Sequence, residues 1–253
     1  MFLHEIINII ESVAPLKWQE AWDNSGLQVG NRNAQILSVL LTTDVTEPVV
    51  REAIERHCDL IISHHPLLFH GLKHLCDETP QERCAALAVK HDIAIYSAHT
   101  SMDSWLHGVS GRMAEQIGMT GYRLLTGEEY GLGVIGTLPE PMPLTDFLQR
   151  LKTAFDAPVL RYVTGPQKTV QTVALCGGAG AEFVDDAIAA GADTFVTADV
   201  KYHSFLDAAG RINLIDMDHW VSEHFTRDIF RELLRDKVAI HIAQTDKSPI
   251  NIY

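Results

Sequence analysis

The sequence is short of basic residues: 20 Lys and Arg stand against 33 Asp and Glu, a formal charge of −13 with the 13 histidines counted as neutral. That balance excludes a nucleic-acid groove, because binding to a phosphate backbone begins with many cationic side chains releasing counterions. Cysteine is scarce as well. Cys58, Cys76, Cys84 and Cys176 are scattered with no C-x-x-C spacing, so neither a disulfide framework nor a zinc knuckle is expected, and a reducing cytoplasm is the compartment that fits. No apolar run approaches the roughly 20 residues of a membrane helix. The start, Met1-Phe2-Leu3-His4-Glu5, has no positively charged region of a secretory signal. What is present is enough to fold: 46% of the 253 residues are hydrophobic and 21% charged, an apolar content that offsets chain entropy. A chain of this length forms one large or two small domains.

Apolar side chains at 2, 3, 6, 7, 9, 10 and 13 give the first segment a helical period. A largely polar loop with two glycines, from Glu20 to Gly30, follows. Short apolar runs then alternate with amphipathic stretches: strands are expected over 36–43, 60–63 and 93–98, and helices over 47–57 and 81–91. The second half repeats the programme, with strands over 131–137, 170–176, 194–197, 212–215 and 238–243 and helices over 182–190 and 222–235. Such alternation implies βαβ units and an α/β class. The glycines near 120–130 mark the expected boundary, giving domains over 1–125 and 126–253, and Pro139, Pro141 and Pro143 mark a further break. Glu52 to Ser63 aligns without a gap beside Asp186 to Thr197, each an amphipathic helix, a turn with Asp and an apolar strand ending in a hydroxyl. Gene duplication is the favoured reading over chance matching of generic βα units.

Chemistry concentrates at strand ends, where open α/β sheets bind their ligands. Ser63-His64-His65-Pro66 follows the second strand, and its adjacent imidazoles project in different directions, which suits two neighbouring metal ions better than chelation of one. His-His alone reads more readily as a surface pair. After other strands stand His99 with Asp103 and His219 with Glu223, each a histidine with a carboxylate four residues on. In a helical segment the i and i+4 positions share a face, so imidazole and carboxylate can converge. One such pair is ordinary on a solvated helix; two pairs beside His-His, all past strand ends, point to a mixed ligand set for zinc, manganese, iron or cobalt. Two such ions add about four positive charges, making a cationic pocket for an anionic substrate inside an acidic protein.

These residues resemble the NIF-three-like dinuclear metal proteins, whose members are often labelled GTP cyclohydrolase 1 type 2 homologues. The likeness runs nearly end to end, through Trp22-Asp23-Asn24-Ser25-Gly26-Leu27-Gln28-Val29-Gly30, Thr43-Asp44-Val45-Thr46, His64-His65-Pro66, His99-Thr100 with Asp103, Gly177-Gly178-Ala179-Gly180, Asp199-Val200-Lys201-Tyr202-His203, and His219 with Glu223. The resemblance implies two related α/β domains with a dinuclear metal site in the cleft between them. It implies His64, His65, Asp103, His219 and Glu223 as ligands, with Glu223 bridging both ions, His99 and His203 as pocket residues, and a ring-shaped homohexamer. Three positions depart from the family pattern: Asp218 and Ala198 replace glycines, and Ala179 stands where serine is frequent.

The expected function is a dinuclear metal-dependent hydrolase acting on a small, nucleotide-like substrate, with His99 as general acid. The rival readings are a non-catalytic metal-binding scaffold that binds other proteins, and storage or delivery of metal. Gly177 to Gly180 reads as a tight strand-to-helix turn rather than a phosphate cradle, since Glu182, Asp185 and Asp186 oppose phosphate. Trp22-Asp23-Asn24 either ties down its loop or forms a wall of the metal pocket. Cys176, with no base near it in sequence, reads as a small core residue.

Overall fold

The computed structural model describes all residues, Met1–Tyr253. They form two compact units, neither of them a single run of sequence: the first comprises 1–102 and 224–247, the second 103–223 and 248–253. Each unit is built on its own mixed sheet.

The first unit holds α1 (Leu3–Glu11), β1 (Gly26–Val29), β2 (Ser38–Thr42), α2 (Glu47–Glu55), β3 (Leu60–Ser63), α3 (Pro80–Lys90), β4 (Ala94–Ser97), α10 (Thr226–Leu234) and β11 (Ala239–Ile242). Its strands run in the order β1-β4-β3-β2-β11, all parallel except β1. Strand side chains alternate between faces. Leu40, Ile61 and Ile95 accordingly pack with Val49, Ala53, Cys84 and Ala88 of α2 and α3 in one core. Their neighbours Val39, Leu41, Leu60 and Ile62 are as fully buried, and α10 packs on β2 and β11 and against α1. A sheet covered on both faces needs continuous apolar strands, which is why β3 reads Leu-Ile-Ile-Ser without alternation.

The second unit holds α5 (Val109–Gln116), β5 (Thr120–Leu124), β6 (Val134–Pro143), α6 (Leu144–Phe155), β7 (Arg161–Val163), β8 (Thr169–Ala179), α7 (Val184–Ala189), β9 (Thr194–Ala198), α8 (Tyr202–Ala208), β10 (Asn213–Asp216) and α9 (His219–Glu223). The short α4 (Thr100–Asp103) straddles the division at 102/103. Strand order is β5-β6-β8-β9-β10-β7, with β8, β9 and β10 parallel and the rest antiparallel.

The repeat seen in sequence has a counterpart in hydrogen bonds. Asp59, in the turn before β3, accepts from the N–H groups of Leu37 and Ser38 at 2.7 and 3.0 Å. Asp193, before β9, accepts from Gln171 and Thr172 at 2.9 and 2.8 Å. In each unit one aspartate thus pins the start of the strand that precedes its helix. Each Asp also gives its own N–H to that strand, and its carbonyl accepts from the first residue of another strand, Ala94 of β4 or Asn213 of β10. Replacing either with Ala strands two amides on a lost anionic acceptor, at an expected cost of about 2 kcal/mol. Urea denaturation should show the two variants losing similar amounts; an effect at only one of them would argue against equivalent roles.

The helices and strands expected from the sequence are present in both halves, beside others with no clear sequence pattern, and three expected features differ. The helix expected over 222–235 is broken into α9 and α10. Pro139 and Pro141 do not end a strand: β6 runs through them, and they fall between Thr137 and Met142, where pairing with β8 shifts register. Proline lacks the ladder N–H, so it is tolerated at such an irregularity. Finally, α10 and β11 join the sheet of the first unit rather than the second half, because β11 pairs with β2.

Candidate metal and substrate site

In the first unit, β3 and β4 end side by side, and the residues that follow them carry three histidines. His64 is fully buried, and its Nδ1 donates to the Ala98 carbonyl at 3.0 Å. His65 Nδ1 donates to Asp44 Oδ1 and His99 Nδ1 to Asp23 Oδ1, each at 2.8 Å. A carbonyl or ionised carboxylate can only accept, so each ring carries a proton on Nδ1 and leaves Nε2 to face elsewhere. The three rings lie with centroids 4.9 to 5.3 Å apart, and their ligand atoms all fall within 4.8 Å of one another. Such a group could hold a metal ion.

Asp23 is built into this corner. Burial alone would raise its pKa, but hydrogen bonds from His99, Thr100 and Ser25 and the charge of His99 outweigh it and hold the carboxyl far below the usual range. Oδ2 accepts from the Thr100 amide and hydroxyl at 3.1 and 2.6 Å and from the Ser25 hydroxyl at 2.8 Å. Asp23 therefore remains an anion that both orients His99 and starts α4.

In the second unit α9 carries His219 and Glu223, with His219 Nε2 and Glu223 Oε2 3.0 Å apart. His219 Nδ1 gives its proton to Asp199 Oδ2 at 2.8 Å. Its Nε2 and the Glu223 carboxylate thus face one another as two potential ligand atoms. Asp103 and Glu223 offer carboxylate oxygens within 4.8 Å of each other. Their charges act on Cys176, whose thiol is pushed well above its ordinary value first by complete burial and then by Asp103, Glu182 and Glu223. That thiol is a core residue and no nucleophile.

The glycine run is more than a turn. Gly178, in β8, has φ +62°, and a Cβ there would stand 2.1 Å from Glu223 Oε1. Its N–H donates to Ser222 Oγ at 3.0 Å and its carbonyl accepts from Thr197 Oγ1 at 3.0 Å. The missing side chain is the space the Glu223 carboxylate occupies.

Two of the departures have a physical account. Asp218 adopts φ +74°, the left-handed region that glycine favours and that Asp tolerates best after Asn. Its Oδ1 accepts the Val221 N–H at 3.2 Å, capping α9 as an N-terminal carboxylate does. Asp218→Gly should change stability by no more than a few tenths of a kcal/mol, whereas Asp218→Ala, which keeps the strain and loses the cap, should cost about 1 kcal/mol; thermal melts of the two variants check the difference. Ala198 is buried in β9 with ordinary strand geometry, so nothing there calls for glycine. Nothing in the structure explains Ala179.

Sequence reading found the histidines and carboxylates but gave no role to Asp44 and Asp199 and left that of Asp23 open. The signal was present in the motifs Trp22-Asp23, Thr43-Asp44 and Asp199-Val200, yet the pairings join residues 76, 21 and 20 positions apart. His203, on α8, is exposed and makes a ring contact with Tyr202. No helix is long and apolar enough to cross a membrane.

A "GTP cyclohydrolase 1 type 2 homolog" of Clostridium perfringens is 35% identical over 228 residues, 88% of this chain and 87% of its own length. Another of that name from Campylobacter jejuni is 30% identical over the full length of both chains. Among solved structures, a Bacillus cereus protein related to NIF3 superposes with a TM-score of 0.91 at 26% identity, covering 100% of this chain and 99% of that one. With a family model matched over residues 1–249, this chain belongs to the Duf34/NIF3 (NGG1p interacting factor 3) family.

Proposed function

We propose that this protein is a hydrolase dependent on two divalent metal ions, acting on a small, nucleotide-like substrate. His64, His65, Asp103, His219 and Glu223 are its ligands, with Glu223 shared by both ions. One observation carries the reading: the three ligand imidazoles, His64, His65 and His219, each have Nδ1 committed to an acceptor, the pairing by which proteins fix a metal-binding histidine and raise its basicity. The space left at Gly178 for the Glu223 carboxylate fits the same purpose. Imidazoles with carboxylates suit zinc, manganese, iron or cobalt.

When bound, such ions polarise a substrate oxygen and supply activated water near neutral pH. The rest falls to the chain. Asp23 stays ionised, keeps the His99 Nδ1 proton directed at itself and stabilises the imidazolium form, from which His99 Nε2 gives its proton to the leaving group as general acid and becomes neutral. GTP ring opening is the first reaction to test, since it gives the bacterial relatives their name. A cytoplasmic, ring-shaped hexamer with no nucleic-acid or membrane partner completes the reading.

The test measures bound metal, oligomeric state and formate release from GTP for wild type, His65→Ala and Glu223→Ala. Loss of metal by tenfold or more in affinity and loss of turnover, with the oligomer intact, is the expected result. Variants that fall apart, with no turnover of any substrate by the wild type, would instead favour a metal-stabilised protein-binding scaffold. The family description, an interacting factor, supports that second reading.

A further inference from the structure

The loop from Trp22 to Gly30 is held more tightly than a connection requires. Besides the four hydrogen bonds of Asp23 already described, Asn24 Nδ2 donates to the Leu68 carbonyl at 2.6 Å and Gln28 Nε2 to the Asn24 carbonyl at 2.7 Å. Gln28 Oε1 accepts the Leu68 N–H at 3.1 Å. These bonds clamp the loop to the segment that follows His64-His65-Pro66. They also set Trp22 beside Phe69, with ring centroids 5.9 Å apart and planes inclined at 51°. Both rings stand edge-on to His99, at 5.9 and 6.3 Å.

Yet Trp22 is 59% and Phe69 39% exposed. Two large aromatic side chains left in water on a rigid frame forgo burial that the fold could otherwise use, and such patches mark binding sites. The rings are inclined rather than stacked on each other, so aromatic surface remains to receive another ring. A cation would also be drawn to such rings, but the oxygens of Asp23, the adjoining carboxylate, already accept from His99, Thr100 and Ser25, so none is left to contact one directly.

We propose that Trp22 and Phe69 form a seat for a planar, unsaturated ring of the substrate and bring its polar edge beside His99. The inference deepens the hydrolase reading, in which His99 faces the substrate, by naming what recognises the ring. Because the loop is already fixed, little ordering is needed on binding. Aromatic stacking also tolerates any heterocycle, so the seat sets class rather than identity.

Calorimetric titration of the full chain, with and without Mn²⁺, against GTP, guanosine and tripolyphosphate tests this. GTP and guanosine should bind, and Trp22→Ala and Phe69→Ala should each weaken both by about tenfold or more. Tripolyphosphate binding and metal content should be unchanged, and Trp22→Phe should restore most of the loss. A wild type that binds neither GTP nor guanosine at about 1 mM, or alanine variants with wild-type affinity, overturns the proposal. A wild type that takes up no Mn²⁺ but still loses guanosine affinity on Trp22→Ala would sink the metal-dependent reading and leave the ring seat standing.

Discussion

Gly178→Ala is expected to weaken metal binding by about 10- to 100-fold, the range seen when a ligand's support is disturbed, while costing about 1 to 2 kcal/mol of stability from a left-handed backbone. The added Cβ would stand 2.1 Å from Glu223 Oε1 and 3.4 Å from His219 Cε1. Glu223 lies 3% exposed, so its carboxylate must move within packed surroundings. Gly210 provides the control. It has φ +76° with nothing within 4 Å of a built Cβ, so Gly210→Ala should show the backbone cost alone and leave metal affinity unchanged. Calorimetric metal titration and thermal melts of the two variants separate strain from displacement; equal metal affinity in both would remove Gly178 from the site.

Glu52→Ala is expected to lower stability by about 3 kcal/mol, since it removes a buried carboxylate that accepts several backbone and side-chain donors at once. The Glu52 carboxylate accepts the Gln244 N–H, the Thr245 N–H at 2.9 Å and the Thr245 hydroxyl at 2.8 Å, and pairs with Arg56 at 2.9 Å. For a chain of this size the change corresponds to a fall in Tm of roughly 6 to 12 °C. The segment it anchors continues to Asp246, buried, which accepts the Thr43 N–H at 2.7 Å and pairs with Arg227 at 3.2 Å. Thr43 immediately precedes Asp44, the acceptor of His65, so the anchor also steadies one of the histidines.

The pH dependence of this anchor has a definite sign. Burial raises the Glu52 pKa, but the hydrogen bonds from Gln244 and Thr245 and the charge of Arg56 outweigh it, so the folded value lies below the ordinary one. A depressed carboxylate contributes stability that is present above its unfolded pKa, about 4.3, and is lost as pH falls through the lower folded value. Glu52→Gln should therefore show a shallower loss of stability in that acid range than wild type. An identical acid slope would mean that Glu52 contributes nothing there.

Much of the architecture was legible because it rests on short-range rules. The uninterrupted Leu60-Ile61-Ile62 run announces a strand covered on both faces, and the helical period of Glu47 to Glu55 announces α2. β1, β5 and β7 were not read. They are short or partly exposed strands at sheet margins, where no alternation is needed because tertiary pairing alone defines them. α6 was hidden behind three prolines that suggest a break.

By itself the sequence determined which residues have ligand chemistry, and that they follow strands: His64 and His65 after β3, His99 after β4, and His219 with Glu223 spaced for one helix face. Local periodicity and chain order are sufficient for that. Only the tertiary structure decided which nitrogen each histidine presents, because the acceptors Asp23, Asp44 and Asp199 come from elsewhere in the chain and a hydrogen bond at 2.8 Å depends on the packing of separate elements. It likewise decided that Gly178 is space for a carboxylate, that Asp218 can occupy a glycine's conformation by capping α9, and that α10 and β11 complete the first sheet. Except for the local Asp218 cap, each of these rests on contacts between segments distant in sequence, which no local pattern encodes.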